Sequence, residues 1–129
     1  MNQESFYLNK LSYETDSADL FDTINSGEEI ILIDARQSHA YHEEHIPTAI
    51  SFPHREMNEE TVQSLSKDIL IVTYCDGIGC NASTKAALKL TQFGFKVKEL
   101  MGGIDWWKRD GYATEGTKSH AGHTVKCAC

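Results

Sequence analysis

Apolar residues recur along the chain in short runs that are separated by amphipathic segments. The clearest runs cover residues 30–33 and 69–74, which carry no charge and are rich in β-branched side chains. Runs that are apolar at consecutive positions suit strands buried on both faces of a parallel sheet. We predict strands over residues 28–34, 49–52, 69–74 and 96–100, and a short edge strand over residues 6–11.

Helical periodicity fills the gaps between these strands. The strongest helix is predicted over residues 82–93, with Asn81 as its N-cap, whose side chain would accept from the first turn, and with Gly94 just past its end. Further helices are predicted over residues 16–26, closed by Gly27, over residues 37–45, after the capping residue Asn58, and near the end of residues 101–112. This alternation predicts a doubly wound α/β fold.

In such a fold the ligand lies beyond the carboxyl ends of the strands. Residues 34–36, Cys75 and residues 102–103 each follow a predicted strand end, so we expect them to meet on one rim. Cys75 also precedes a helix N-terminus, where unpaired backbone N–H groups and the helix dipole stabilise negative charge. That environment favours a thiolate, or a persulfide whose outer sulfur is solvated by amides.

Composition narrows the possible functions. The chain has 129 residues, a formal net charge of −7 and an isoelectric point near 5.3, so we expect one domain with neither nucleic acid nor an anionic membrane as a partner. The first ten residues lack the apolar core of a signal peptide, and cytoplasmic localisation is the expectation. Without an export signal, the four cysteines are expected to be reactive or metal-binding.

Four segments in order resemble the blocks of a single-domain rhodanese-like sulfurtransferase. They are Leu32-Ile-Asp-Ala-Arg36, Tyr41-His-Glu-Glu-His45-Ile-Pro-Thr-Ala49, Tyr74-Cys75 with its loop and helix, and Gly102-Gly-Ile-Asp-Trp-Trp107 with Gly111-Tyr112. The resemblance implies an α/β, rhodanese-like fold with a central, mostly parallel five-stranded sheet and helices on both faces. The rhodanese domain would span residues 18–116, preceded by an N-terminal extension with an edge strand (1–17) and followed by a flexible tail (117–129).

The resemblance also implies an activity, which is sulfane-sulfur transfer by ping-pong chemistry through a persulfide on Cys75. A small sulfur donor would load the cysteine, and a thiol, cyanide or a sulfur-accepting protein would unload it, without any cofactor or metal. Main-chain N–H groups of the following loop would hold the outer sulfur. The residues of that loop are Asp76, Gly77, Ile78, Gly79, Cys80 and Asn81.

Three departures from the usual pattern of this family bear on specificity and turn geometry. Relatives that use thiosulfate commonly carry Arg or Lys in the loop, whereas the charged member here is Asp76, so we expect a persulfide of low charge to be the better donor. Glu44 and Thr48 replace glycines that are usual around the His-Ile-Pro turn. Arg36 is expected to pair with a carboxylate such as Glu44, or else to help orient the donor.

Two other functional classes compete with this interpretation. Phosphatases of the cell-cycle type need an arginine at the sixth position after the cysteine, and that position is Asn81 here, which argues against phosphoryl transfer. If Cys75 were inert, the chain would be a catalytically silent binding or sulfur-carrier module. Cys80 is either a small loop residue or a resolving thiol that captures oxidised Cys75 as a disulfide.

The remaining candidate residues are histidines, cysteines and tryptophans. The tail residues His120, His123, Cys127 and Cys129 allow three interpretations, namely a frayed terminus, a zinc site or a sulfur relay. The spaced residues His39, His42 and His45 are expected to be solvated or bonded to backbone. Adjacent Trp106 and Trp107 should point in different directions, one into the core and one towards the pocket.

Overall fold

The structure is a computed structural model that describes residues 2–119 and 121–122. Its helices and strands follow one another along the chain, with 3₁₀ turns at His54–Glu56 and Thr61–Ser64. In order they are α1 (Gln3–Tyr13), β1 (Glu14–Thr15), α2 (Ser17–Asn25), β2 (Ile30–Asp34), α3 (Ser38–Glu43), β3 (Ile50–Ser51), β4 (Leu70–Tyr74), α4 (Ala82–Gln92), β5 (Val97–Leu100) and α5 (Gly103–Arg109).

The described strands form one sheet in the order β1-β5-β4-β2-β3, and every strand pair is parallel. The longest pairing joins β2 and β4, with Ile30 opposite Leu70 and Asp34 opposite Tyr74. The carboxyl ends of β2, β4 and β5 therefore meet at one edge of the sheet. This confirms the α/β class and the parallel five-stranded sheet.

Two apolar clusters cover the two faces of the sheet, because side chains alternate along each strand. Leu32 and Val72 face helices α2 and α5, whereas Ile33 and Ile71 face α4 and the 3₁₀ turns. All four side chains are at most 2% exposed. Helices therefore lie on both faces, and the central strands are apolar at consecutive positions because both of their faces are covered.

The N-terminal segment differs from the prediction. Residues 6–11 were expected to be an edge strand, and that is wrong, since they lie within helix α1. The Asn2 side chain caps this helix by accepting from the Ser5 N–H at 2.8 Å, and Glu4 lies in its first turn. These local signals outweigh the β propensity of the aromatic residues, because no residue of α1 is buried in a way that could select a strand. The edge strand is β1.

Two turns carry further differences. The predicted helix after Asn58 is a single 3₁₀ turn, in which the Asn58 side chain accepts from the N–H groups of Glu60 and Thr61. Thr48, which replaces a usual glycine, adopts a left-handed φ of 74°. A β-branched residue therefore occupies a conformation that ordinarily favours glycine.

Candidate functional site

Cys75 lies directly after β4, at the edge where the strand ends converge, and is 2% exposed. The start of α5 fixes the backbone at this point, since Ile104 N–H donates to the Cys75 carbonyl (3.0 Å) and Asp105 N–H donates to the Asp76 carbonyl (2.8 Å). A Cβ at Gly103 would lie 2.3 Å from the Cys75 carbonyl oxygen. The close approach of the two segments therefore requires glycine at position 103.

The loop after Cys75 turns back on itself. Cys80 N–H donates to the Gly77 carbonyl at 3.2 Å, which closes a turn and returns Cys80 towards Cys75. The two cysteines form a disulfide, with their Cα atoms 6.2 Å apart. Cys80 is half-buried and thus more accessible than its partner. Of the two interpretations left open for Cys80, the structure agrees with a residue that bonds to Cys75.

Backbone donors surround this sulfur pair. Within the described residues, the N–H groups of Asp76, Gly77, Ile78 and Gly79 have no hydrogen-bond acceptor. The N–H groups of the first turn of α4 are likewise outside the helical ladder, as at any helix start. The loop therefore presents several unpaired donors next to Cys75, which suits an anion on that residue.

Asn81 occupies the expected N-cap position, but the predicted side-chain cap is wrong. Its side chain makes no capping hydrogen bond to α4, and its backbone has φ −110° and ψ 13° instead of the extended conformation that aims a cap at the helix. The Asn81 carbonyl accepts from the Lys85 N–H at 3.0 Å. Closure of the loop therefore depends on the Gly77–Cys80 turn and the cysteine pair, not on the asparagine side chain.

Arg36 lies at the same rim and binds carboxylates on both sides. Its guanidinium donates to Asp34 (2.7 Å to Oδ2) and to Asp76 (3.1 Å to Oδ1). The expected pairing of Arg36 with a carboxylate is confirmed, but Glu44 is the wrong partner, because Arg36 donates to the Glu44 backbone carbonyl (2.6 Å) and the Glu44 carboxylate binds Lys108. Burial alone would lower the pKa of Arg36, yet the hydrogen bonds and charge of Asp34, with help from Asp76, raise it.

Asp34 links Arg36 to a buried tyrosine. The Tyr74 hydroxyl donates to Asp34 Oδ2 at 2.9 Å and accepts from the Ile46 N–H at 3.1 Å. Both Asp34 and Tyr74 are fully buried. Desolvation, followed by the negative charge of Asp34, raises the pKa of Tyr74. The carboxylate of Asp34 is thus held by the Arg36 guanidinium, the Arg36 backbone N–H and the Tyr74 hydroxyl, and a buried charge requires such partners.

A cavity of about 560 Å³ opens on one side of the cysteine pair, towards β5 and α1. Among the described residues, four carboxylates and one ammonium line it. The carboxylates belong to Glu14, Asp16, Glu99 and Asp110, and the ammonium belongs to Lys10. Lys10 is paired with Glu14 at 2.7 Å, while Ser83 donates to Glu99 at 2.7 Å. We call this space the acidic cavity.

A second cavity of about 270 Å³ lies on the opposite side, towards β2 and the turn after β3. It is lined by Arg36, Arg55, His39 and His54, and Cys75 and Cys80 border it as they border the acidic cavity. Asp76 also lines this cavity, but its negative charge is compensated by the ion pair with Arg36. Partial burial, together with the positive charges of Lys85, Lys89 and Arg55, lowers the pKa of His54. We call this space the basic cavity.

The two tryptophans divide their roles as predicted. Trp107 is 2% exposed and its indole N–H donates to the Ala113 carbonyl at 2.9 Å, whereas Trp106 is 41% exposed and lines the acidic cavity. A Cβ at Gly102 would meet the Trp106 ring. The Gly102-Gly103 pair therefore lets both the ring and the Cys75 backbone approach the start of α5.

Several candidates lie away from this rim or outside the described residues. The predictions for His120, His123, Cys127 and Cys129 all fall outside the described residues. His45 stacks on Tyr41, with its Nδ1 2.7 Å from the Tyr41 carbonyl, as expected of a histidine bonded to backbone. No group of potential metal ligands occurs in the described part of the chain, and no helix there has the length and apolarity needed to cross a membrane.

The sequence analysis missed the charged residues that line the two cavities. Lys10 and Glu14 belong to a segment that was expected to be peripheral, and Arg55 and His54 follow a short strand without any motif. Glu99 lies in the strand predicted over residues 96–100, but nothing in the sequence placed it near Cys75. Only the positions at strand ends could have suggested this convergence.

Comparison with known proteins is consistent with this architecture. A family model described as "Rhodanese-like domain" matches residues 17–110 of the chain. The BH2092 protein of Bacillus halodurans is similar in structure, with 48% sequence identity and a TM-score of 0.87, over 97% of this chain and 92% of that one. The rhodanese-like domain of the Alr3790 protein from Anabaena sp is 28% identical, with a TM-score of 0.72 and 90% of each chain covered.

Another similar protein is considerably longer than this chain. The HTH-type transcriptional regulator Rv0324 of Mycobacterium tuberculosis is 34% identical over 83 residues, which are 64% of this chain. The match covers 36% of the length of that regulator. The shared part is therefore about a third of the regulator.

Proposed function

Because the chain belongs to the rhodanese-like domain family, we propose that it is a sulfurtransferase that carries sulfane sulfur as a persulfide on Cys75. The observation that carries the proposal is the position of Cys75 at the end of β4, below a loop whose Asp76–Gly79 N–H groups have no acceptor within the described residues. Such donors stabilise a thiolate and equally the terminal sulfur of a persulfide. The loop amides therefore stabilise the negative charge on sulfur in place of a counter-ion.

Two half-reactions complete the cycle. In the first, the Cys75 thiolate attacks the sulfane sulfur of the donor, a bond forms between the two sulfurs, and the donor's own sulfur bond breaks as its remaining half leaves as an anion. In the second, a nucleophile attacks the outer sulfur and the Cys75 thiolate leaves. The acceptor is a thiol in the cell, a sulfur-accepting protein, or cyanide in an assay. Cys75 must be reduced before the first step, because the disulfide with Cys80 occupies its sulfur.

The proposed donor is a persulfide on a small thiol or a protein, with thiosulfate as a poor donor. The larger approach to Cys75 is the acidic cavity, whose carboxylates outnumber its single ammonium among the described residues. At about 4 Å, each like charge costs about 1 kcal/mol in water, and more when water is excluded. A doubly charged donor such as thiosulfate is disfavoured on that side. The basic cavity is the side that tolerates an anionic group.

Sulfur transfer to cyanide tests the proposal. Reduced protein should form thiocyanate from cysteamine persulfide, whose net charge is near zero, faster than from thiosulfate, and Cys75→Ser should form none from either donor. The matched control is a Cys127→Ser/Cys129→Ser variant, which keeps the loop intact and should match the wild type. Turnover by Cys75→Ser equal to that of the wild type would remove the persulfide on residue 75 from the mechanism. A clear preference for thiosulfate would overturn the choice of donor.

One observation favours the silent alternative, in which the chain is a binding module. With Cys75 bonded to Cys80, no thiolate is present to accept sulfur. A pulse of dithiothreitol before the assay separates the alternatives. Transfer that appears after reduction supports the enzyme, whereas inactivity of fully reduced protein with every donor supports the binding module.

A further inference from the structure

We propose that Cys80 resolves the Cys75 persulfide, so that the chain releases its stored sulfur as sulfide and ends as the Cys75–Cys80 disulfide. The inference deepens the proposed function, since it needs sulfur on Cys75 to begin. It adds a second outcome for that sulfur, which is reduction to sulfide instead of transfer to an acceptor. The structure contains the product of this step as a bonded cysteine pair at the site.

The geometry of the loop permits a direct attack. The Gly77–Cys80 turn brings the two Cα atoms to 6.2 Å, within the range of about 4.4–6.8 Å that a disulfide spans. No described element has to move for Cys80 to reach the Cys75 sulfur. The bond closes a ring of a few residues, and short rings restrict the unfolded chain less than long ones do. Stabilisation of the fold is therefore a weak explanation for this disulfide.

The step balances without an added oxidant. The Cys80 thiolate attacks the inner sulfur of the persulfide, which is Cys75 Sγ, and the bond between the two cysteine sulfurs forms. The bond from Cys75 Sγ to the outer sulfur breaks, and the outer sulfur takes the electron pair and leaves as hydrosulfide with the proton that the Cys80 thiol gave up. The outer sulfur is reduced, and the two cysteine sulfurs are oxidised to the disulfide. The unpaired loop amides that hold the outer sulfur also stabilise the departing anion.

Regeneration needs two electrons, which a dithiol reductant or two small thiols supply. Cys75 is 2% exposed and Cys80 is half-buried, so the reductant meets the Cys80 sulfur first. Attack there releases Cys75 as a thiolate at the end of β4, where the loop amides and the N-terminus of α4 stabilise it as a leaving group. Cys80 borders both cavities, so a reductant has access from either side.

The test is a single loading of the full-length, reduced protein with glutathione persulfide, followed by rapid desalting under argon. Released sulfide is trapped with monobromobimane, and intact mass with peptide mapping locates the sulfur. A Cys127→Ser/Cys129→Ser background excludes the tail thiols, and Cys80→Ser and Cys80→Ala are compared in it. We expect about one sulfide per chain and a Cys75–Cys80 disulfide when Cys80 is present. Both Cys80 variants should release none and retain a gain of about 32 Da on Cys75.

Each other outcome decides against a defined part of the scheme. If the chain with Cys80 keeps the added sulfur on Cys75 and releases no sulfide, resolution by Cys80 is wrong while persulfide formation stands. Added sulfur found on Cys80 means attack on the outer sulfur, which also overturns sulfide release. If no variant gains sulfur and none releases sulfide, the persulfide on Cys75 fails, and the resolving step fails with it.

Discussion

The acidic and the basic cavity are both bordered by Cys75 and Cys80, yet their other charged residues have opposite signs. The acidic cavity takes its charge from the chain before α2 and from β5 and the end of α5, whereas the basic cavity takes its charge from the rim after β2 and the turn after β3. One reactive pair is therefore reached through two electrostatic environments. The charge of a sulfur donor or acceptor should decide the side from which it arrives.

The comparison also shows that the net charge of the loop is a poor guide to the charge at the site. Asp76 makes the loop acidic in sequence, but Arg36 compensates it at 3.1 Å. Two cationic residues that lie far apart in the sequence, Arg36 and Arg55, reach one cavity through the fold. Specificity for anions is consequently a property of one side of the site and not of the loop alone.

The largest effect is expected from Arg36→Met, which would remove the buried cation of the basic cavity. Asp34 is fully buried and would lose its ion partner, and breaking a buried pair costs about 3–5 kcal/mol in free energy of unfolding. Urea unfolding at pH 7 measures this loss. Arg36→Lys is the matched control, since it keeps the charge but not the forked geometry, and it should lose less. Equal stability of Arg36→Met and wild type would contradict the assigned role.

A pair of single-charge changes tests the opposite character of the cavities. Arg55→Gln should lower kcat/KM for thiosulfate by about fivefold, because it removes one favourable charge worth about 1 kcal/mol. Asp110→Asn should instead lower kcat/KM for cysteamine persulfide, which carries an ammonium, by a similar factor. Each variant serves as the control for the other. If both variants change both donors equally, the cavities do not discriminate by charge.

The protonation of His54 makes the difference in charge between the two cavities depend on pH. Its folded pKa lies below the ordinary value, so His54 adds its positive charge to the basic cavity at a lower pH than an ordinary histidine would. The ratio of kcat/KM for thiosulfate to that for cysteamine persulfide, whose net charge is near zero, should then rise by about twofold to threefold. The ratio cancels the titration of Cys75, which affects both donors. In His54→Gln the ratio should not vary over this range.

The same histidine fixes the sign of a stability change. Because its pKa is lower in the folded chain than in the unfolded chain, the unfolded state binds more protons at mildly acidic pH. Its contribution to stability is therefore present above a pH of about 6.5 and is lost as the pH falls below it. Urea midpoints of wild type and His54→Gln across this range measure the difference. A contribution that grows towards acid pH would contradict the lowered pKa.

The smallest effect is expected from Lys10→Gln, which makes the acidic cavity more negative. Lys10 is 44% exposed and paired with Glu14, so solvent screens much of its charge. The rate with thiosulfate should fall by about twofold or less. Lys118→Gln is the matched control, because Lys118 pairs with Glu43 on the surface and does not line either cavity. An identical response of the two variants would remove α1 from the site.

Sequence reasoning was strongest where local pattern and tertiary burial point to the same structure. The apolar runs in β2 and β4 predict buried parallel strands, and Gly94, with φ 92°, ends α4 as expected. The position of Cys75 follows from the same logic, since the loop begins where a central strand ends. The rhodanese-like resemblance is confirmed by the family match.

Reasoning from sequence was weakest where several segments compete for one contact. Arg36 could pair with any nearby carboxylate, and only the fold shows that Asp34 and Asp76 lie closer to it than the Glu44 side chain does. Residues 6–11 carry strand-forming aromatics, but a capped helix forms where no sheet neighbour selects a strand. The disulfide partner of Cys75 was one of two interpretations, because a turn five residues long has no unique sequence signature.

The burial of Tyr74 provides an optical indicator for the hydrogen-bond network that it forms with Asp34 and Arg36. Its phenol is held between Asp34 and the Ile46 amide, and its folded pKa is raised above the ordinary value of about 10. The stabilisation it gives is present below that pH and is lost as alkali titrates the unfolded chain. In an alkaline titration, the near-ultraviolet absorbance of its tyrosinate should therefore appear together with the loss of the circular dichroism of the folded chain, and not before it.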